Sequence, residues 1–214
     1  MIQAKTDRRS RQGLASRRKI LDATFDIAQE VGYQGTSIAK VSARCGLPAS
    51  SVYWHFADKD ALFAEVIRHS FDRWNAIVGS WELPQPGEVA VVVAAERIRR
   101  AVDSIATSPE FWRLGLMLAL ERQEVEPEAR RSFIEIRRAV LNNMAAFWRG
   151  ALDHAAADDT GVEAAADRAE LLARFTMATA DGIFVAAQVD GPYDHTRLAA
   201  LLADSLTAAV DRLR

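Results

Sequence analysis

Residues 36–59 read TSIAKVSARCGLPASSVYWHFADK, and the spacing of glycine, proline and aromatic residues within them decides the fold. Thr36 is a residue type that caps helix N-termini, and Ile38 and Val41 share one face of the short helix it would open. Ala39 stands where a capping box would need Glu or Gln, so no such box is expected. Gly46 stops this helix. Pro48 opens another, over about Ala49–Phe56, at a position where its missing N–H costs little. Two short helices around a glycine turn have helix-turn-helix spacing. In the second, Val52 and Phe56 lie four apart and face the core. A helical stripe only about 100° wide cannot also hide Tyr53, Trp54 and His55. Ala49, Ser50 and Ser51 are short enough at the helix start to approach base edges in a major groove. Tyr53 and His55 can donate to phosphates. Lys59 lies at the start of the next helix, where backbone N–H groups also favour an anion.

Upstream, Ile20, Thr24, Ile27 and Val31 recur at helical spacing, widened by Leu21, Phe25 and Ala28, and Gly32 ends that helix. Residues 1–13 are polar and basic without periodicity and read as a flexible arm. Downstream, Asp58 is placed to cap a long helix over about 58–81, with Phe63, Ile67, Phe71, Trp74, Ile77 or Val78, and Trp81 as its stripe. Leu83-Pro84-Gln85-Pro86-Gly87 breaks the chain. Five further helices are expected. One covers about 88–106. The next is announced by Ser108-Pro109 and runs to about Gln123, apolar on nearly every side. A third begins at Glu126-Pro127. A loop at Asp158–Gly161 leads to a helix over about 163–189. Gly191-Pro192 then turns the chain into a last helix capped by Asp194. The reading is all-α with about nine helices, divided into the arm 1–13, a DNA-reading domain 14–60 and a helical body 61–214.

The 214 residues are half apolar, enough to bury a sizeable core. A net charge of -2 hides an uneven distribution: residues 1–68 carry 11 basic and 7 acidic side chains, the remainder 16 and 22. A basic head on an acidic body suits a phosphate-binding module joined to another function. The single cysteine, Cys45, excludes an intrachain disulfide and fits a reducing cytoplasm. No apolar run is long enough to span a bilayer, and no signal peptide is visible, so a cytoplasmic location is expected. His55, His69, His154 and His195 lack metal-ligand spacing, and no Gly-rich phosphate loop occurs. Neither a metal, a cofactor nor a catalytic residue is therefore expected, and an all-helical enzyme is the weakest reading.

The whole 24-residue stretch resembles the DNA-binding domain of TetR-family regulators. Thr36-Ser37, Val41-Ser42, Cys45-Gly46-Leu47, Tyr53-Trp54-His55-Phe56 and Lys59 occupy that family's positions. Ser42 and Cys45 stand where the family usually has Ala, a mild departure. The likeness covers about residues 14–70. It implies phosphate contacts from Ser37, Tyr53, His55 and Lys59, and base-edge or near-base contacts from Ala49, Ser50, Ser51 and Trp54. Lys40 is placed ahead of Arg44 as a further phosphate ligand. Arg8, Arg9 and Arg11 could reach an adjacent minor groove, as basic arms do.

The resemblance also implies a repressor that binds a palindromic operator in double-stranded DNA, with a body that dimerises and binds a small-molecule effector. Ala-rich faces on the last two helices (Ala178, Ala180, Ala186 and Ala187; Ala199, Ala200, Ala203, Ala208 and Ala209) would allow a homodimer interface through them. Candidates for an effector pocket are Phe111, Trp112, Leu116, Met117, Leu120, Phe133, Met144, Phe147, Trp148, Phe175, Met177, Asp181 and Phe184, a lining suited to an apolar or aromatic molecule. The alternative is a body that binds a protein partner, which an exposed apolar patch would favour over a closed cavity.

Overall fold

The structure, a computed structural model, describes residues 2–83, 85, 88–107, 109–120, 127–152, 159–190 and 194–213, and side chains within them except at 2–10, 106–107, 151, 159–164, 195, 211 and 213. The described residues form nine helices and no strand: α1 (Ile2–Gly35), α2 (Ile38–Cys45), α3 (Ala49–His55), α4 (Lys59–Val78), α5 (Ala90–Thr107), α6 (Glu110–Leu120), α7 (Glu128–Leu152), α8 (Asp159–Val189) and α9 (His195–Leu213). This is the all-α architecture the periodicity calls for. The turns expected at Ser108 and at 191–192 lie outside the described residues, as do the breaks at Pro84, Pro86 and Gly87.

Several boundaries differ from the sequence reading. The arm expected over 1–13 is helical from Ile2. Its Ala, Arg, Lys and Gln residues are good helix formers, and the buried stripe of α1 supplies the costly nucleus they extend. Val31 is 45 % exposed rather than part of that stripe. At Gly32 the backbone leaves the helix (φ 73, ψ -179). Only glycine enters that region without strain. The turn brings Tyr33 inward instead, where it is buried against Phe63 with ring centroids 4.7 Å apart. Ser37, not Thr36, caps α2: its side chain accepts from Lys40 N. Thr36 is buried and donates to Gly32 O at 2.7 Å, which meets its hydroxyl's need inside the fold. α8 begins at Asp159, within the expected loop 158–161.

Two compact units divide the chain otherwise than at residue 60. One comprises Met1–Phe71 with Arg113–Ile134; the other comprises Asp72–Trp112 with Glu135–Arg214. In the first, Ile20, Leu21, Thr24, Ile27 and Ala28 of α1 form its buried face. Val41 of α2 and Val52 and Phe56 around α3 are buried too. Each of the Ile, Leu, Val and Phe side chains among them contributes about 1.5–3 kcal/mol relative to exposure. Gly115 of α6 lies so close to Phe133 of α7 that a Cβ there would come within 2.0 Å of the ring. Asp60 Oδ2 accepts from Glu128 N at 2.6 Å and Oδ1 from Ala129 N at 3.2 Å, so α4 caps the start of α7.

In the second unit α5 packs along α9 and against α8. Ile98, Val102 and Ile105 of α5 and Leu202, Leu206 and Val210 of α9 are buried. Asp194 Oδ1 accepts from Arg197 N at 3.0 Å, the cap foreseen for α9. None of the described helices is long and apolar enough to cross a membrane.

Candidate nucleic-acid interface

The turn between α2 and α3 rests on Gly46, whose φ of 69 closes α2 with a bond from its N–H to Ser42 O. A side chain at that backbone conformation would be strained. Ser42 Oγ donates to Leu47 O at 2.6 Å, so this turn is held from both sides. Pro48 precedes α3 in an extended conformation, and α3 ends where Phe56 N donates to Val52 O at 2.9 Å. Val52 and Phe56 anchor the helix from beneath.

The other faces of α3 are open. Ala49 and Ser50 are exposed at its start, Ser51 is half-buried, and Tyr53 and Trp54 are 56 % and 76 % exposed. Leaving two large aromatics in water is costly for a surface with no partner to meet. The 7 residues of α3 span about 10 Å at 1.5 Å each, short enough to lie in a major groove about 12 Å wide. Tyr53 and Trp54 each present a donor at the ring's edge. His55 is half-buried, edge-on to Trp54 at 4.5 Å between centroids. Burial, and then the positive charge of Arg17, hold its pKa below the ordinary value.

The flanking candidates differ in what holds them. Ser37 is exposed but engaged as the α2 cap. Lys40 Nζ donates to Gly35 O at 2.6 Å from an exposed position, a weak tether that a phosphate can replace. Lys59 is half-buried, with Nζ 4.2 Å from the Tyr33 ring centroid and donating to Tyr33 O at 3.2 Å, so it also closes the end of α1. Arg44 pairs twice with Glu30, at 2.9 and 2.8 Å, and its charge is already answered. Arg17 had no role in the sequence reading. It sits 5.5 Å from the Phe56 ring centroid and 2.6 Å from Glu65, bracing the end of α3 from α1. A partner 48 residues away along the chain leaves no local sequence signal.

The pocket candidates fall in both units. Leu116, Met117, Leu120 and Phe133 belong to the first unit, where Leu120 is 80 % exposed and Phe133 is buried. In the second, Trp112, Met144 and Met177 line one cavity. Phe111, Phe147, Trp148 and Phe184 are buried core, Phe175 is exposed, and Asp181 is paired with Arg137 at 2.6 and 2.9 Å.

Residues 20–66, which carry α2, α3 and the helix surfaces that hold them, match the model of the family described as bacterial regulatory proteins, tetR family. Over these residues the chain resembles the DNA-binding domain of the TetR family. The HTH-type transcriptional regulator RutR of Escherichia coli (strain K12) is 31% identical over 71 residues, 33% of this chain and 34% of RutR. The chain thus matches about a third of the length of that curated relative. The fold likeness runs further. A transcriptional regulator FadR from Bacillus subtilis, solved in complex with stearoyl-CoA, has a TM-score of 0.67 at 17% identity over 90% of this chain and 98% of its own. AibR, solved in complex with isovaleryl coenzyme A and operator DNA, has 0.64 at 14% over 89% and 97%. At these identities the likeness is one of TetR-like fold.

Proposed function

We propose that the chain is a sequence-specific DNA-binding regulator that acts as a homodimer on a palindromic operator, represses transcription and is released by a small-molecule effector. The observation that carries the reading is the open face of α3. A helix anchored by Val52 and Phe56 leaves Tyr53 and Trp54 in solvent beside a short-chained start at Ala49 and Ser50. AibR, of similar fold, is recorded with operator DNA, and FadR and AibR with acyl-coenzyme A molecules. These neighbours support a DNA partner and an organic effector without fixing either.

A second copy of the chain is the natural cover for one face of α8. Leu171, Phe175, Ala178, Gly182, Val185 and Val189 follow one another at intervals of four and three, and all six are exposed. An apolar stripe of that period is what a partner helix covers, and Ala178 and Gly182 at its centre allow close approach. On α9, Leu201 is 62 % exposed and Ala200 and Ala208 are open, whereas Ala199 faces inward. Trp74 and Lys59 belong to one helix, α4. An effector that displaces α4 changes the separation of the two recognition helices, which must match half-sites about 34–36 Å apart.

Selection of the protein against random-sequence duplex DNA at about physiological salt tests the reading. A palindrome with half-sites one helical turn apart is expected. Recovery of nothing above background, before and after refolding to strip any bound molecule, would refute it.

A further inference from the structure

The first half of α1 runs beside the recognition helix. A Cβ built on Gly13 would stand 3.8 Å from Cζ3 and 3.9 Å from Cη2 of Trp54, so that ring lies against α1 there. The ring is also 76 % exposed and part of the open face of α3. Arg17 follows Gly13 by four residues, which puts it on the same side of α1, one turn further on. Its guanidinium carbon is 5.5 Å from the Phe56 ring centroid, and its charge acts on His55. Gly13 and Arg17 thus border α3 along the stretch that holds Trp54, His55 and Phe56.

Arg44 and Arg17 are held differently. Arg44 has both oxygens of Glu30, at 2.9 and 2.8 Å, one to each amino group. Arg17 has one oxygen of Glu65, 2.6 Å from one amino group, and no other ionic partner among the described residues. That carboxylate is shared. Its other oxygen lies 3.6 Å from Arg68, which also meets Glu128 at 3.6 Å and donates to Ser132 Oγ at 2.8 Å. A guanidinium carries five N–H donors in a planar fork, so one shared oxygen leaves most of the Arg17 fork unused. Its side chain is 36 % exposed, enough for a second anion to reach it. An ion pair so open to water contributes little to stability. A phosphate, by contrast, takes an arginine fork two bonds at a time.

We propose that Arg17 is a ligand for a backbone phosphate of the bound duplex, seated on Glu65 in the free protein and turned to the phosphate in the complex. The inference rests on the DNA reading above and adds a contact from α1 to that site. Glu65, tied to the start of α7 through Arg68, is then the competitor that sets how readily Arg17 is given up. Bracing α3 alone, through Phe56, is the rival role. The two roles predict opposite effects of removing the Glu65 charge.

Fluorescence anisotropy of the full chain on the duplex recovered by selection, over about 50–200 mM salt, separates them. Arg17→Gln should weaken binding at the low-salt end by at least about tenfold, the worth of a hydrogen bond to a charged group. The slope of log affinity against log salt should also shrink by about 0.9 for each chain bound, one phosphate's share. Arg17→Lys should keep the slope, because it keeps the charge. Glu65→Gln should tighten binding several-fold, and that gain should vanish when it is combined with Arg17→Gln. Base preference should be the same in every variant, since phosphate contacts carry no sequence information. An unchanged slope in Arg17→Gln, weaker binding in Glu65→Gln, or a Glu65→Gln gain that persists without Arg17 would make Arg17 a brace and overturn the proposal. So would an altered base preference, which would put Arg17 on a base edge. If Arg17→Gln fails to fold, the sign of the Glu65→Gln effect decides alone. Selective binding by the wild type with a slope that Arg17→Gln does not move overturns this contact and leaves the regulator standing. A wild type that selects no duplex overturns the regulator and this contact with it.

Discussion

At His55, burial first and the Arg17 charge second keep the imidazole below its ordinary pKa, so the free protein carries it neutral at pH 7. A phosphate beside it would favour the protonated form instead. The complex then holds more protons than the free protein, and lowering the pH must favour the complex. Duplex affinity should therefore rise as pH falls from 8 to 6, by at most about tenfold per pH unit, the limit for one proton. The slope should be lost in His55→Gln, measured by fluorescence anisotropy at constant ionic strength. The same slope in the variant would remove His55 from the phosphate contacts.

At the scale of elements, the crossing of α6 and α7 in the first unit depends on a missing methyl group. A Cβ on Gly115 would lie 2.0–2.6 Å from three ring atoms of Phe133, which is only 1% exposed and cannot yield. Alanine gains about 1 kcal/mol of helix propensity over glycine. Overpacking a filled core costs typically about 1–3 kcal/mol and sometimes more. Gly115→Ala should thus destabilise the protein by about 1–2 kcal/mol net in urea denaturation, and an unchanged midpoint would show that the helices separate at little cost. How far such elements can be read from sequence follows from the range of the forces that make them. Val52 and Phe56 announce their burial by spacing alone. Ser37 displaced Thr36 as a cap because Gly32 O was within reach of the threonine hydroxyl, which depends on a left-handed turn. Asp60 gave no signal at all, since the amides it caps lie 68 and 69 residues further on. The open face of α3 was legible because a two-turn helix cannot hide so many aromatics. Which pocket candidates are plain core was not, because aromatic and Met residues at helical spacing look alike in core and cavity.

For the molecule as a whole, the exposed stripe on α8 makes self-association the first thing to measure. Sedimentation equilibrium at micromolar concentration should give twice the 23.6 kDa of one chain. Val185→Glu, which sets a charge in the stripe without touching the buried face of α8, should give one chain's mass and weaken operator binding sharply. A wild-type protein of one chain's mass would leave the stripe for another partner. The discontinuity of the first unit has a different consequence. Its chain is drawn from two stretches, and the boundary falls inside three helices: α4, α6 and α7. Cutting the gene after Phe71 would strip away the α7 amides that Asp60 caps and the α6 side chain, Met117, that lies against Gly32. The first unit is therefore not a cassette. It cannot be grafted onto a foreign body by joining one peptide bond, and any chimaera that keeps its core must carry the second stretch along with the first.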